Sequence, residues 1–182
     1  MADLTQIKVT AAEFLSGPET NKIVELINGE IIVAPSPVDP HQEAVGSLYI
    51  TLANQIKSGK WRVAPMDVYL DETNVVQPDI FWVSDENPRC YLFDRKYWHG
   101  APDFVIEILS PGTTRQDRDV KYALYEKHGV REYWIVDANE LYIEVYVLRD
   151  GRFERLNVFG LGEQLTSPVL GQTLNVDALL KS

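Results

Sequence analysis

The sequence predicts an α/β (α+β) fold in which a central mixed β-sheet is flanked by helices. Short apolar runs with strand character alternate with two helical segments, so a helix connects one group of strands to the next. One run, after Pro102, is apolar on both faces, which is typical of an interior strand. The length of 182 residues suits a single domain, which we expect to cover residues 1–182.

Local signals define the first elements. A short helix over Thr10–Ser16 is predicted from a capping box, because Thr10 is followed three residues later by Glu13. Asn28-Gly29 is a strong hairpin signal and divides Lys22–Val33 into two strands.

The later elements follow from periodicity and turn residues. The predicted helices run from Asp39 or Pro40 to Lys57 and over Thr114–His128, the latter ending at Gly129. Strands are predicted at Trp61–Leu70, Val75–Val83, Asp103–Leu109, Arg131–Asp137, Leu141–Leu148 and Phe153–Asn157, with a turn at Asp150-Gly151 and a short closing element after them. Ser84–Gly100 is expected to be irregular, as in a lid or flap.

Composition and charge limit the classes of function. No apolar run approaches the roughly 20 residues that span a bilayer, so we expect no membrane partner. The single cysteine, Cys90, excludes internal disulfides, and the N-terminal residues do not resemble a secretory signal, so we expect a cytoplasmic protein. The net charge of −10 argues against non-specific coating of DNA, although an active site needs only local positive charge.

One predicted strand carries a charge where apolar residues are expected. Glu107 has only apolar neighbours within Phe104–Leu109. A buried, ionised carboxylate needs a counter-charge, a metal ion or a proton. Pairing with an arginine in the core is therefore one explanation for Glu107, and a functional site is the other.

Asp79 lies in a comparable position. It follows Pro78 at the start of an apolar run, and proline is confined to strand starts and edges. Because aspartate is unfavourable in strands, Asp79 is either a turn or capping residue or a functional carboxylate. Asp103 also follows a proline, but it lies about 13 Å from Glu107 at the usual strand rise, so we expect a structural role for it.

Lys121 is the third candidate. A helical projection from Thr114 places in one sector, which should face the sheet, Asp117, Val120, Lys121, Leu124 and His128, with Tyr125 at its margin. On the opposite side it places Arg115, Arg118, Tyr122 and Glu126. Lysine is rarely buried without a partner. An i,i+4 bridge from Asp117 to Lys121 is the structural alternative to a functional role.

Together these residues predict a particular chemistry. Two carboxylates in a chain with one cysteine and three histidines favour Mg²⁺ or Mn²⁺ over zinc. We therefore expect Asp79 and Glu107 to be metal ligands, with Lys121 neutralising charge nearby. Hydrolysis of a phosphodiester requires this set of groups.

The motifs also resemble a known family. PSPVDPH, VQPDI, GAPDFVIEILSP and DRDVKYALYEKHGVREYWIVD, in this order, resemble the Uma-two (Uma-type) family of restriction endonucleases in the PD-(D/E)XK nuclease superfamily, over about residues 10–180. The resemblance implies a restriction-endonuclease-like core, with Asp79 at the PD position and Glu107 at the (D/E) position. Leu109 stands where the superfamily has lysine, so we expect a migrated lysine, Lys121, to replace it.

The superfamily often adds a glutamate from the first core helix. Glu43 has the right chemistry but projects away from the apolar stripe of the helix, whereas His41 aligns with that stripe. We therefore predict His41 as the contribution of this helix, as a proton carrier or phosphate contact. A histidine that is merely hydrogen-bonded near the helix N-terminus is the alternative.

The predicted substrate is DNA, and a homodimer is a possible assembly. Arg115 and Arg118 are the predicted phosphate contacts, with Arg95 and Lys96 as further cations. Tyr97 and Trp98 are candidates to close over a substrate or a partner subunit. A rival hypothesis, motivated by the charge of −10 and by Leu109, is a non-catalytic interaction or assembly module that retains the nuclease fold.

Overall fold

A computed structural model of the chain describes residues 8–18, 20, 22–110 and 116–181. Its helices are α1 (Ala11–Leu15), α2 (Asp39–Gln55), α3 (Tyr122–His128) and α4 (Val176–Leu180). A π-helical turn, Gln116–Lys121, leads directly into α3. Within these described ranges, no helix is both long and apolar enough to cross a bilayer.

The described strands lie in two larger sheets and one hairpin. In chain order they are β1 (Val24–Ile27), β2 (Glu30–Val33), β3 (Lys60–Val63), β4 (Val68–Asp71), β5 (Asn74–Val76), β6 (Ile80–Val83), β7 (Tyr91–Phe93), β8 (Tyr97–His99), β9 (Phe104–Ile108), β10 (Glu132–Asp137), β11 (Tyr142–Arg149), β12 (Arg152–Gly160), β13 (Gln164–Ser167) and β14 (Gln172–Asn175).

The central sheet has the order β12-β11-β10-β9-β6-β3, and only β9 and β10 are parallel among its pairs. The outer sheet has the order β2-β1-β5-β4-β8-β7 and contains one parallel pair, β4 and β8. The predicted mixed sheet and α+β class are confirmed. The second sheet was not predicted.

Two prolines explain how the second sheet arises. The predicted strands Trp61–Leu70 and Val75–Val83 are each broken, at Pro65 and Pro78. Proline cannot donate a ladder hydrogen bond, so each run yields two strands. In each run one strand joins the central sheet and the other joins the outer sheet.

The prediction of an irregular segment at Ser84–Gly100 is wrong, because part of it forms the β7–β8 hairpin. The turn residues Asp94 and Arg95 both have positive φ, 48° and 59°, without a glycine to mark the turn in the sequence. Trp98 in β8 is 2% exposed and packs edge-on against Phe81 at 5.9 Å, which fixes the hairpin to the core. It therefore does not close over a substrate.

Other local signals are found as expected. Thr10 and Glu13 form both hydrogen bonds of the capping box. Asn28 and Gly29 have φ of 53° and 80°, as a tight hairpin requires. Gly129 ends α3 in the left-handed conformation.

The central sheet has a hydrophobic core on each face. On one face it packs against α2 through Leu48 and Leu52. On the other it packs against α3 and the outer sheet, with Val105 and Tyr133 buried there. Side chains alternate along a strand, so Glu107 shares the face of Val105, between the two sheets.

The burial of Cys90 leads to a first prediction. The thiol is 3% exposed and donates to the carbonyl oxygen of Gly100 at 3.3 Å, and burial raises its pKa to about 12. Because the thiolate is the reactive form, we expect no measurable reaction of the folded protein with a disulfide reagent at pH 8. Rapid reaction before unfolding, measured by thiol release in buffer and in guanidinium chloride, would contradict this burial.

Candidate active site

Glu107 lies in the middle of β9 and is 2% exposed. Its Oε1 accepts hydrogen bonds from the Tyr125 hydroxyl at 2.6 Å and from Lys121 Nζ at 3.0 Å. Within the described residues, both of its side-chain hydrogen bonds go to Oε1. The arginine pairing considered from the sequence is therefore not found in the described core, where a lysine takes that place.

Lys121 is 5% exposed and stands at the end of the π-helical turn. Its Nζ lies 3.0 Å from Glu107 Oε1, 3.0 Å from Glu25 Oε1 and 3.8 Å from Asp117 Oδ1. The bridge to Asp117 is thus present, but it is the longest of three contacts. The ammonium group lies among three buried carboxylates.

Asp79 lies between Pro78 and β6 and is partly buried. Its Oδ2 accepts a hydrogen bond from the backbone N–H of Ile108 at 2.7 Å and lies 3.1 Å from His41 Nε2. Because Ile108 directly follows Glu107, this contact places Asp79 beside the central carboxylate of β9. The turn or capping role considered from the sequence is thus replaced by a bond to a neighbouring strand.

His41 is in the first turn of α2 and is 8% exposed. Its other ring nitrogen, Nδ1, is buried and has no hydrogen-bond partner among the described residues. Glu43 is exposed on the same helix. The structure therefore brings His41, and not Glu43, to Asp79.

Sequence reasoning missed Glu25 and Gln77 as members of this cluster. Glu25 is 2% exposed in β1 between apolar residues, the same signal that identified Glu107. Gln77 donates its backbone N–H to Glu25 at 2.8 Å and its side-chain amide to Asp67 at 2.8 Å. The side-chain oxygen of Gln77 is buried and has no hydrogen-bond partner in the part of the chain that the structure describes.

Of the two predicted phosphate contacts, Arg118 is not brought to this cluster. Arg118 pairs with Glu144 at 2.6 Å and donates to the Tyr142 hydroxyl at 3.0 Å, on the strand β11. That position follows from the projection, which placed Arg118 opposite Lys121. Arg115 lies outside the described residues. Asp103 accepts from the N–H of Ser84 at 2.8 Å, in line with its expected structural role.

The cluster lines one small cavity of about 40 Å³, which has room for a water molecule or a small ion. Its polar lining residues are Glu25, His41, Gln77, Asp79, Glu107, Ser110, Asp117 and Lys121. An open cleft beside it shares His41 and Asp79 and is walled by Pro35, Pro37 and Pro65. Solvent can therefore reach Asp79 from the cleft.

Burial and the neighbouring charges shift the pKa values of the titratable groups in the cluster. Burial raises the pKa of Glu107 well above its usual range, although Lys121 opposes the shift. Burial lowers the pKa of Lys121, but the surrounding carboxylates outweigh it and raise that pKa well above its usual value. Burial likewise lowers the pKa of His41, yet its contact with Asp79 raises it overall. The carboxylates around Lys121 therefore favour its charged form.

The donor chemistry of the cavity suits a hard divalent cation. Four carboxylates and the side-chain oxygen of Gln77 meet there, with Lys121 as the positive charge. Among the described residues, no three His, Cys, Asp or Glu side chains stand as a ready-made metal-ligand group. Mg²⁺ commonly uses only one or two carboxylates and keeps several waters, so a two-carboxylate site is compatible with this arrangement.

Fold and site together define a mixed α+β protein with a carboxylate–lysine cluster buried between two sheets. Its fold is shared with a solved structure described as "a putative nuclease belonging to DUF820" from Anabaena variabilis, with a TM-score of 0.73 and 24% identity over 94% of this chain and 97% of that chain. "Uncharacterized protein slr1290" of Synechocystis sp. is 24% identical over 179 residues, 96% of this chain and 92% of that protein.

The Uma2 family, described as "Putative restriction endonuclease", matches residues 11–177. The chain belongs to this family. The resemblance predicted from the sequence motifs is thereby confirmed.

Proposed function

We propose that this protein is a metal-dependent nuclease that hydrolyses DNA phosphodiester bonds. The observation that carries the proposal is the contact of Lys121 Nζ with Glu107 Oε1, at 3.0 Å, in a cavity that Asp79 also lines. A lysine contributed by the helix after β9 can thus serve where Leu109 stands in the usual lysine position. The family description supports the same class of activity.

Asp79 and Glu107 are the residues that would hold Mg²⁺ or Mn²⁺. Each has its side-chain hydrogen bonds, within the described residues, on one oxygen, Oδ2 of Asp79 and Oε1 of Glu107. We assign the second oxygen of each carboxylate, Oδ1 of Asp79 and Oε2 of Glu107, to the cation. A bound divalent ion would supply Lewis acidity and lower the pKa of a coordinated water.

The residues of the chain itself provide positioning and charge. The Ile108 N–H fixes Asp79, and the Tyr125 hydroxyl fixes Glu107, so neither carboxylate needs to reorganise during reaction. The Lys121 ammonium offsets negative charge that develops on the phosphate. His41, with its Nε2 facing Asp79, is placed to carry a proton or to contact a phosphate.

Substitution of Asp79 tests the proposal. Asp79→Asn keeps the size of the side chain but removes a ligand charge, so we expect Mn²⁺-dependent nicking of plasmid DNA to fall by about a hundredfold or more. Asp85→Asn, at an exposed aspartate, is the matched control and should retain activity. Nicking by Asp79→Asn at the control rate would refute the assignment.

One observation favours a second candidate function, a non-catalytic interaction module. Lys121 already supplies a counter-ion to Glu25 and Glu107, so the buried charges are partly neutralised without a metal. Calorimetric titration with Mn²⁺ separates the two candidates. Binding that Asp79→Asn abolishes supports the nuclease, whereas no binding, or binding that Asp79→Asn leaves unchanged, supports the module.

We also propose a cellular location and an oligomeric state for this nuclease. A cytoplasmic location is consistent with the single, buried cysteine. A homodimer would suit an enzyme that cuts both strands of a duplex, since each site would face one strand.

A further inference from the structure

The outer sheet carries a row of aromatic side chains on the face turned away from Glu25. We call this row the aromatic ladder; it consists of Tyr69, Tyr91, Phe93, Tyr97 and His99. Tyr69 is paired with His99 across β4 and β8, and His99 is paired with Tyr91 across β8 and β7.

The ladder and the candidate active site lie on opposite faces of the outer sheet. In the outer sheet, Leu26 of β1 is paired with Val75 of β5, and Val75 is paired with Tyr69 of β4, so the three side chains lie on one face. They pack there against α1 and the residues beside it. Glu25 precedes Leu26 and therefore points to the other face. On the face away from Glu25, helix α1 covers β1 and β5, whereas the rings on β8 are partly buried and those on β7 are exposed.

The rings form a column that ends at an edge. The Tyr69 and His99 rings are 4.5 Å apart at 20°, and the His99 and Tyr91 rings are 5.2 Å apart at 18°. β7 is the last strand of the outer sheet in the described part of the chain, so no further strand stacks on Tyr91 there. Tyr91 is 46% exposed, and Phe93 beside it is 47% exposed.

The same hairpin is locally positive in an acidic protein. Residues 89–99 contain three cations, Arg89, Arg95 and Lys96, and one carboxylate, Asp94, although the whole chain has a net charge of −10. Lys96 lies 3.5 Å from Asp94, but both side chains are largely exposed, so this pair neutralises little. Exposed rings between cations are the pattern that binds single-stranded nucleic acid.

We propose that the β7–β8 hairpin binds an unpaired segment of nucleic acid, with one base stacked on Tyr91 and phosphates near Arg89, Arg95 and Lys96. A base would extend the existing ring column by one member. The bases of a duplex are already stacked, so the site favours single strands. A second copy of the chain fits less well, because a twofold contact would oppose two positive hairpins. The inference rests on the proposed function, in that the bound segment belongs to the substrate.

Binding can be measured without cleavage. Fluorescence anisotropy with a labelled 20-nucleotide oligothymidylate, in EDTA and low salt, gives the dissociation constant. Base stacking is worth about five- to 150-fold in affinity per base, so Tyr91→Ala should weaken binding within that range, while Tyr91→Phe should not. Leu156→Ala, at an exposed apolar residue of β12, is the matched control.

The contribution of the hairpin cations is measured separately, from the salt dependence of binding. Replacing both Arg95 and Lys96 by alanine should reduce the slope of log K against log salt by about 1.4, since each lost phosphate contact changes it by roughly 0.7 for single strands. Arg155→Ala, an exposed cation of β12, should leave the slope unchanged.

Three outcomes would overturn the proposal: equal weakening by Tyr91→Ala and Leu156→Ala, equal affinity for a duplex of the same length, or a dimer in sedimentation that Tyr91→Ala dissociates. Failure of the proposed function would be detected in a different experiment, the plasmid assay, as the absence of nicking with Mn²⁺. Intact nicking with no binding to the hairpin would refute this inference alone.

Discussion

Replacement of Lys121 by methionine is expected to reduce Mn²⁺-dependent plasmid nicking by about 10²–10³-fold. Methionine has a similar length but no charge, so it removes the cation that lies 3.0 Å from Glu107 Oε1. Loss of one preorganised group that stabilises developing negative charge typically has an effect of this size. The measurement is the initial rate of plasmid nicking at saturating Mn²⁺.

The same substitution is expected to destabilise the fold at neutral pH. It leaves Glu25, Glu107 and Asp117 buried without their common cation, and removing one partner of a buried ion pair costs about 3–5 kcal/mol. The pKa of Glu107 is already raised in the folded state, so its contribution to stability is present at low pH and is lost as the pH rises through that pKa. The deficit of Lys121→Met should therefore shrink between pH 7 and pH 5.

Lys127→Met is the matched control for both effects. Lys127 lies six residues beyond Lys121 and pairs with Asp71 at 3.2 Å, but its side chain is 66% exposed. An exposed pair contributes about 0–1 kcal/mol, so stability and nicking should be close to those of the native protein. If Lys121→Met behaves like this control in urea unfolding and in nicking, the buried cluster does not have the role proposed here.

Substitution of Glu107 by glutamine is expected to abolish nicking while leaving the fold nearly as stable. Among the residues that the structure describes, both side-chain hydrogen bonds of Glu107 go to Oε1, which the amide oxygen of glutamine can replace. Lys121 would still pair with Glu25. We therefore expect a change in unfolding free energy of less than about 1.5 kcal/mol, together with loss of Mn²⁺ binding in calorimetry because a ligand charge is removed.

Glu132→Gln is the matched control, for which we expect the reverse result: lower stability with activity retained. Glu132 is fully buried in β10. Its Oε1 accepts from Trp134 Nε1 at 2.7 Å, and its Oε2 accepts from Ser167 Oγ at 2.8 Å and from Val169 N–H at 2.9 Å. Either orientation of a glutamine amide therefore turns its nitrogen, which cannot accept, toward at least one of these donors. This variant should lose about 1–3 kcal/mol for each unsatisfied donor and still nick DNA at temperatures where it is folded. An active Glu107→Gln, or an inactive but folded Glu132→Gln, would contradict the assignment of the site.

Much of the site can be predicted from individual β-strand segments of the sequence, because a charged side chain inside an apolar segment is costly to bury. That argument identified Glu107 and Asp79, and applied to Glu25 it would have identified that residue too. His41 was preferred to Glu43 from helical periodicity, and the structure places His41 beside Asp79. The roles of these residues in catalysis remain predictions, as do the metal and DNA.

The helix that carries Lys121 shows where periodicity is insufficient. Asp117 and Lys121 are buried as the projection indicated, but Val120 from the same sector is 36% exposed. The π-helical turn is wider than an α-helical one, so it rotates the residues that follow. Tyr125, at the margin of the projected sector, becomes fully buried and donates to Glu107.

The sequence by itself determined the α+β class, the two central carboxylates and the turns at Asn28-Gly29 and Gly129, because these depend on propensity and burial within one segment. Only the tertiary structure decided that the strands divide into two sheets, that Glu25 of the outer sheet contacts Lys121, and that Gln77 donates its backbone N–H to Glu25. It also decided that Arg118 pairs with Glu144. Such contacts join residues far apart in the chain, so their geometry depends on packing between sheets that no local pattern encodes.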